Sequence, residues 1–234
     1  MDVRDLALQA TCPVIAAPRF GDLPPMKNGQ RIVLGANGVF VQVRLDWLDC
    51  IQALMFDAPA MRLPYGYVQE RLAFSFGVLP MRLIEAFVVA ARAQLPDEVA
   101  GALIYSRRSG KLRLAILETL HASPVRVHYR LPKLADDETV AVDLHSHGHG
   151  APFWSVDDDR DDMGIKIAGV FGKLHLPRPH ACFRLAINGL FRPLPHPWQD
   201  EPPGRRRGAS EETTSLETSF FASILDKWHG IRHR

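Results

Sequence analysis

The sequence predicts an α+β fold: a mixed or antiparallel sheet flanked by helices, preceded by a small β-rich domain. Three observations carry this expectation. In the first 77 residues, two apolar runs at 31–34 and 39–45 flank Gly35-Ala-Asn-Gly38, and the Asn37-Gly38 pair is turn chemistry, so the stretch reads as strand, turn, strand. After Pro80 the period changes. Leu83, Phe87, Val88 and Ala91 fall on one helical face until Pro96 stops the run. Short apolar segments then follow at 101–105, 111–117, 125–131 and 140–145, a weakly helical stretch at 155–163, and further strands at 165–171 and 182–187. A helix, several strands, a short helix and more strands give the α+β pattern.

The remaining elements are read in order. Trp47, Ile51 and Leu54 or Met55 lie near one face of a helix, so 46–55 is expected to be a short helix, ended by Pro59 and Pro64. No residue before 78 carries recognisable chemistry, and 1–77 is read as an accessory domain. The main domain occupies 78–198. Residues 199–215 are polar and rich in Pro, Gly, Arg and Glu, which predicts a disordered linker. Phe221, Ile224, Leu225 and Trp228 then give 220–228 one apolar face, so 199–234 is a linker followed by a short amphipathic helix.

Composition narrows the function classes. With 234 residues and 47% hydrophobic content, the chain can bury a sizeable core. Its 28 Lys+Arg nearly balance 26 Asp+Glu, so no global field favours nucleic acid or an anionic membrane. The Arg205-Arg206-Arg207 cluster reads as a solvated linker feature. Cys12, Cys50 and Cys182 are odd in number, far apart and without a CxxC pair, which argues against both a disulfide framework and a thiolate zinc site. Asp2 and Asp5 precede any apolar stretch, unlike a secretory signal, and the best membrane candidate, 83–95, is broken by Glu85 and Arg92. A cytoplasmic protein is expected, without membrane or direct nucleic-acid contacts.

The chemistry concentrates in Asp143-Leu-His145-Ser-His147-Gly-His149 and the residues to Asp158. Successive strand side chains alternate faces, so His145 and His147 point the same way at the end of an apolar strand. Two imidazoles so placed suit zinc, with a third ligand from elsewhere and one position open for water. Ser155 and Asp158 share one side of a helical turn. The Gly-rich loop 148–154 can return that turn to the histidines.

His-x-His, seven residues, then Ser-x-x-Asp resembles the signature of the JAMM (MPN+ or JAB) zinc metallopeptidases at every fixed position. Asp97-Glu98-Val-Ala-Gly101 is similar to that family's upstream glutamate element, and 169–173 and 183–189 to its closing strands. The resemblance covers roughly 79–195. The region before it is similar to that of JAB proteins from the bacterial plasmid-associated PRTRC system. The resemblance implies a JAB/MPN-type, cytidine-deaminase-like mixed sheet and one Zn2+ per chain on His145, His147 and Asp158. It implies Glu98 as general base and acid, and Ser155 as the oxyanion donor. Asp143 is a candidate for orienting a histidine from outside the ligand set. The implied substrate is the C-terminus of a ubiquitin-like (β-grasp) or sulfur-carrier protein, or its conjugates, with a ThiF-like activating enzyme as a further partner, in a bacterial cytoplasm.

Plainer readings stand beside these. Histidines alternate on ordinary strands, and Ser155 can simply cap a helix whose positive end favours Asp158. His149 shares the alternation but not the motif, and reads as solvent-exposed or substrate-lining. His175, His180 and His196 could build a second metal site, but their irregular spacing reads as scattered surface histidines. Cys182 reads as a small buried hydrophobe. Residues 157–162 read as a solvated acidic face in which only Asp158 is singled out. The alternative functions are an idle MPN-type scaffold or interaction module in a plasmid-associated system, or a small-molecule hydrolase.

Overall fold

The structure is a computed structural model that describes residues 2–56, 63–123 and 126–195. The expected linker and amphipathic segment beyond residue 198 lie outside them, as does His196.

The N-terminal region opens with helix α1 (Val3–Thr11), capped by Asp2, and continues into five strands: β1 (Val14–Ala16), β2 (Gly29–Gly35), β3 (Gly38–Arg44), β4 (Leu48–Phe56) and β5 (Arg71–Phe74). They form one sheet in chain order, with β1 parallel to β2 and every other pair antiparallel. Strands β2 and β3 are the expected pair. Asn37 lies in their turn and is bonded through its side chain to both backbone groups of Val68, at 2.9 Å each.

The expected helix at 46–55 is instead β4. Leu45 and Leu48 exchange backbone hydrogen bonds across Asp46-Trp47, making a tight hairpin. Leu48 and Cys50 face one core cluster and Ile51 another, so both faces of the strand are covered. A strand buried on both faces loses its alternation, and its apolar run mimics a helical stripe.

Helix α2 (Met81–Ala93) is the stripe read from the sequence: Ile84, Phe87, Val88 and Ala91 are its buried residues. Six strands follow as a mixed sheet, β6 (Ala100–Ser106), β7 (Lys111–Ile116), β10 (Glu138–Ser146), β11 (Ile165–Gly172), β12 (His180–Ile187) and β13 (Leu190–Leu194). A separate hairpin of β8 (Glu118–Ser123) and β9 (Arg126–Arg130) lies between β7 and β10 in the chain. The spatial order is β13-β12-β11-β10-β6-β7. Within this sheet, among the described strands, only β10 and β11 pair in parallel, so their C-terminal ends lie at the same end of it. The crossover between them carries the short helix α3 (Val156–Asp161).

One apolar core takes residues from both sheets. Trp47, Leu48 and Cys50 belong to the same buried cluster as Phe87, Leu103, Leu144, Ile167 and Phe171. Among the described residues, no helix is long and apolar enough to cross a membrane.

Candidate metal centre

The centre is built where β10 ends. His145 is the penultimate residue of that strand, and its ring is mostly buried. His147 follows, continuing the pairing by donating its N–H to the Phe171 carbonyl at 2.7 Å. Between them Ser146 points to the opposite face. Its hydroxyl accepts the Val99 N–H at 2.9 Å and its own N–H reaches the Val99 carbonyl at 3.0 Å. Those two bonds fasten the segment joining α2 to β6 against β10, and so place Glu98 in the same cleft as the histidines.

The return loop is held by close backbone approaches. Gly148 adopts φ +52°, and a Cβ there would come within 2.8 Å of the Pro96 carbonyl oxygen. A Cβ on Gly172 would collide with the Gly150 carbonyl oxygen. The chain reaches Ser155, which caps α3 in a full capping box with Asp158. Ser155 donates from its N–H at 2.7 Å and its hydroxyl at 2.6 Å, both to Oδ2 of Asp158, and accepts the Asp158 N–H at 3.1 Å. With Oδ2 engaged, Oδ1 turns toward the histidines and lies 3.4 Å from Nε2 of His145. Nε2 of His145 and Nε2 of His147 are 3.1 Å apart. The His147 Nδ1 lies 3.2 Å from the Ala151 carbonyl oxygen. That oxygen is satisfied when Nδ1 carries the ring proton, the tautomer that leaves Nε2 available to a metal.

These spacings fit a tetrahedral cation. Metal–nitrogen and metal–oxygen bonds of about 2.0–2.2 Å at tetrahedral angles put ligand atoms about 3.3–3.6 Å apart, which the His145–Asp158 distance meets and the 3.1 Å between the histidines falls short of by about 0.2 Å. Among the described residues, His145, His147 and Asp158 are the one group of at least three such side chains close enough to share an ion.

The electrostatics agree. Burial, the larger effect, holds the His145 imidazole below its ordinary pKa, and so in the neutral form a ligand needs. Burial works against ionising Asp158, but His145 beside it and the two hydrogen bonds from Ser155 keep it below the usual carboxylate range. Burial and then the negative charge of Asp158 raise Glu98 to about 7. A buried carboxyl titrating near neutrality beside a ligand cluster is a candidate proton carrier. The cleft measures about 470 Å³ and is also lined by Phe153, Trp154, Tyr129 and His149.

Among the described residues, the side-chain partners of Asp143 are Lys166 and Tyr129 rather than a histidine. Its carboxylate accepts from Lys166 Nζ at 2.8 Å and from the Tyr129 hydroxyl at 3.3 Å. Lys166 also reaches Asp162 at 2.8 Å. Arg184 bonds Asp162 through Nε and Nη2, at 3.0 and 2.7 Å, and Asp159 through Nη1 at 2.6 Å. Its guanidinium is sandwiched between Trp154 and Phe191, 3.9 Å from each ring centre. Hence α3 is not simply a solvated acidic face, since Asp159 and Asp162 anchor it to β12. The sequence does not display this network, because its cations lie up to 41 positions from Asp143 and share no spacing rule with it. Cys182 is half-buried, its thiol raised by burial, 4.0 Å from the Pro152 carbonyl.

Comparison with known proteins adds two matches. Residues 80–185 match the family described as prokaryotic homologs of the JAB domain, and residues 2–75 match a domain of unknown function, DUF2016. None of the curated proteins matches the chain. Among solved structures, the solution structure of protein DSY2949 from Desulfitobacterium hafniense is similar at 20% identity and a TM-score of 0.37, over 48% of this chain and 86% of that one.

Proposed function

Because the chain is a JAB-domain protein, with that domain at residues 80–185, we propose that it is a zinc-dependent peptidase cleaving after the C-terminal glycine of a ubiquitin-like β-grasp or sulfur-carrier protein. The observation that carries the reading is the convergence of His145, His147 and Asp158 on one point, in a cleft that also holds buried Glu98. His145 and His147 through Nε2, and Asp158 through Oδ1, would hold a single zinc. Zinc so held supplies a Lewis acid that polarises a scissile carbonyl and lets water be deprotonated near neutral pH.

The chain's own groups do the rest. Glu98, with its carboxyl at about 7, takes a proton from the attacking water and returns it to the departing amine. Ser155 first positions Asp158, and its hydroxyl serves an oxyanion only by exchanging the bond to Oδ2. Trp154 and Phe153 give the cleft apolar walls beside the histidine rings. The substrate class rests on the resemblance of the motif to isopeptidases of this family, and a ThiF-like activating enzyme is proposed with it as a partner in a bacterial cytoplasm.

The test is cleavage of a β-grasp protein extended by a peptide beyond its terminal glycine. Wild type is expected to release the peptide at that glycine. Glu98→Gln is expected to retain its metal while losing at least about 100-fold in rate, the usual scale for a general base. Equal cleavage by Glu98→Gln would overturn the assignment.

A further inference from the structure

His149 and His175 leave the chain at two turns that lie against each other. Gly148 and Lys173 both occupy the left-handed region, with φ +52° and +51°. A lysine keeps that conformation only where its surroundings impose it, and such residues concentrate at functional sites. The turns are tied together by the main chain: the Lys173 N–H donates to the Gly150 carbonyl at 2.6 Å, and the Leu174 N–H to the Gly148 carbonyl at 3.0 Å. Arg92 of α2 fixes the second turn further, donating from Nε to the Leu174 carbonyl at 2.8 Å.

This clamp sets two exposed imidazoles side by side, with ring centres 5.2 Å apart and planes tilted by 38°. Their Nδ1 atoms face each other at 3.3 Å. A single ring proton between them would make a long, weak hydrogen bond. A tetrahedral ion with metal–nitrogen bonds of about 2.0–2.1 Å needs nitrogens about 3.3 Å apart. The spacing meets that requirement, which the 3.1 Å between His145 and His147 falls short of by about 0.2 Å. The rings sit on a backbone already fixed, so little chain entropy opposes binding. Their exposure lets water complete the coordination shell.

We infer that Nδ1 of His149 and Nδ1 of His175 form a second, weaker site for a divalent transition-metal ion of the zinc type, with two protein ligands and solvent. Because His149 also lines the cleft, the ion sits at its rim. The site stands independently of the peptidase reading, since no ligand is shared with the first centre.

The experiment is a zinc titration of the full chain, stripped beforehand with a chelator, with bound metal counted by elemental analysis after equilibrium dialysis. Wild type is expected to show a tight and a weaker class. His175→Ala should lose the weaker class and keep the tight one, and Asp158→Ala should do the reverse. Both histidine rings are exposed, so an unchanged far-ultraviolet dichroism spectrum is the check on folding. Absence of a weaker class in wild type, or its persistence in both His149→Ala and His175→Ala, overturns the inference. A missing tight class with a weaker class that His175→Ala removes would instead sink the peptidase reading and leave this site standing.

Discussion

Asp158 presents one carboxylate oxygen to the histidines because Ser155 holds the other with two donors. The residue that looks like a plain helix cap therefore also aims the second oxygen of Asp158 at the histidines, and the capping and metal-site readings of Ser-x-x-Asp call for the same geometry. Glu98 is the opposite case, a carboxyl raised to about 7 because it is buried and faces the charge of Asp158. Its folded pKa lies above the ordinary 4.5, so in metal-free protein its stabilising contribution is complete below 4.5 and is lost as pH rises through 7. Metal-free wild type should accordingly lose stability between pH 4.5 and 7 relative to Glu98→Gln. Denaturant melts across that window measure the difference. A wild-type curve parallel to that of Glu98→Gln would show that Glu98 titrates normally.

Helix α3 has six residues and buries none of them. So short a helix is unstable alone, and here it is held at one end by the Ser155 cap and along its length by Arg184. Arg184 and Asp162 are nearly inaccessible, 5% and 6% exposed in their side chains. Truncating Arg184 to Met leaves Asp162 with only Lys166, and removing one partner of a buried pair costs about 3–5 kcal/mol. Chemical denaturation should show a loss of that order in Arg184→Met, with weakened zinc binding because Asp158 rides on the helix. A loss below about 1 kcal/mol, the level of an exposed pair, would mean that the network does not hold the helix. At this scale the sequence was partly legible. The stripe of α2 and the strands β2, β3, β6, β7 and β10 to β12 follow from local periodicity. Strand β4 was misread because both its faces are buried. The three- to five-residue strands β1, β5 and β13 offer too short a pattern to separate from loop. Helix α1 buries nothing, so no apolar stripe against a core marks it. The grouping of His145, His147 and Asp158 was legible because its geometry is set within 14 positions, by strand alternation and a cap. The Asp143–Lys166–Asp162–Arg184 network and the His149–His175 pair were not, since both depend on which strands become neighbours.

Across the whole molecule, the N-terminal sheet and the sheet carrying the centre share one buried cluster. Trp47, 1% exposed, lies in that cluster and stacks near Phe74 and Phe76. Trp47→Ala should cost about 3–5 kcal/mol, as large aromatic truncations in cores do, and should lower a single unfolding transition followed by both dichroism and metal release. Two separated transitions would mean that the sheets fold independently despite the common core. The central claim is itself a property of the whole chain, a stoichiometry. Elemental analysis of purified protein, with His147→Ala and Asp158→Ala alongside, is its most direct measure. About one tightly held zinc per chain in wild type, lost in both variants, is the expected result. Wild type that takes up no tightly held zinc even after reconstitution, or variants that hold as much as wild type, would contradict it.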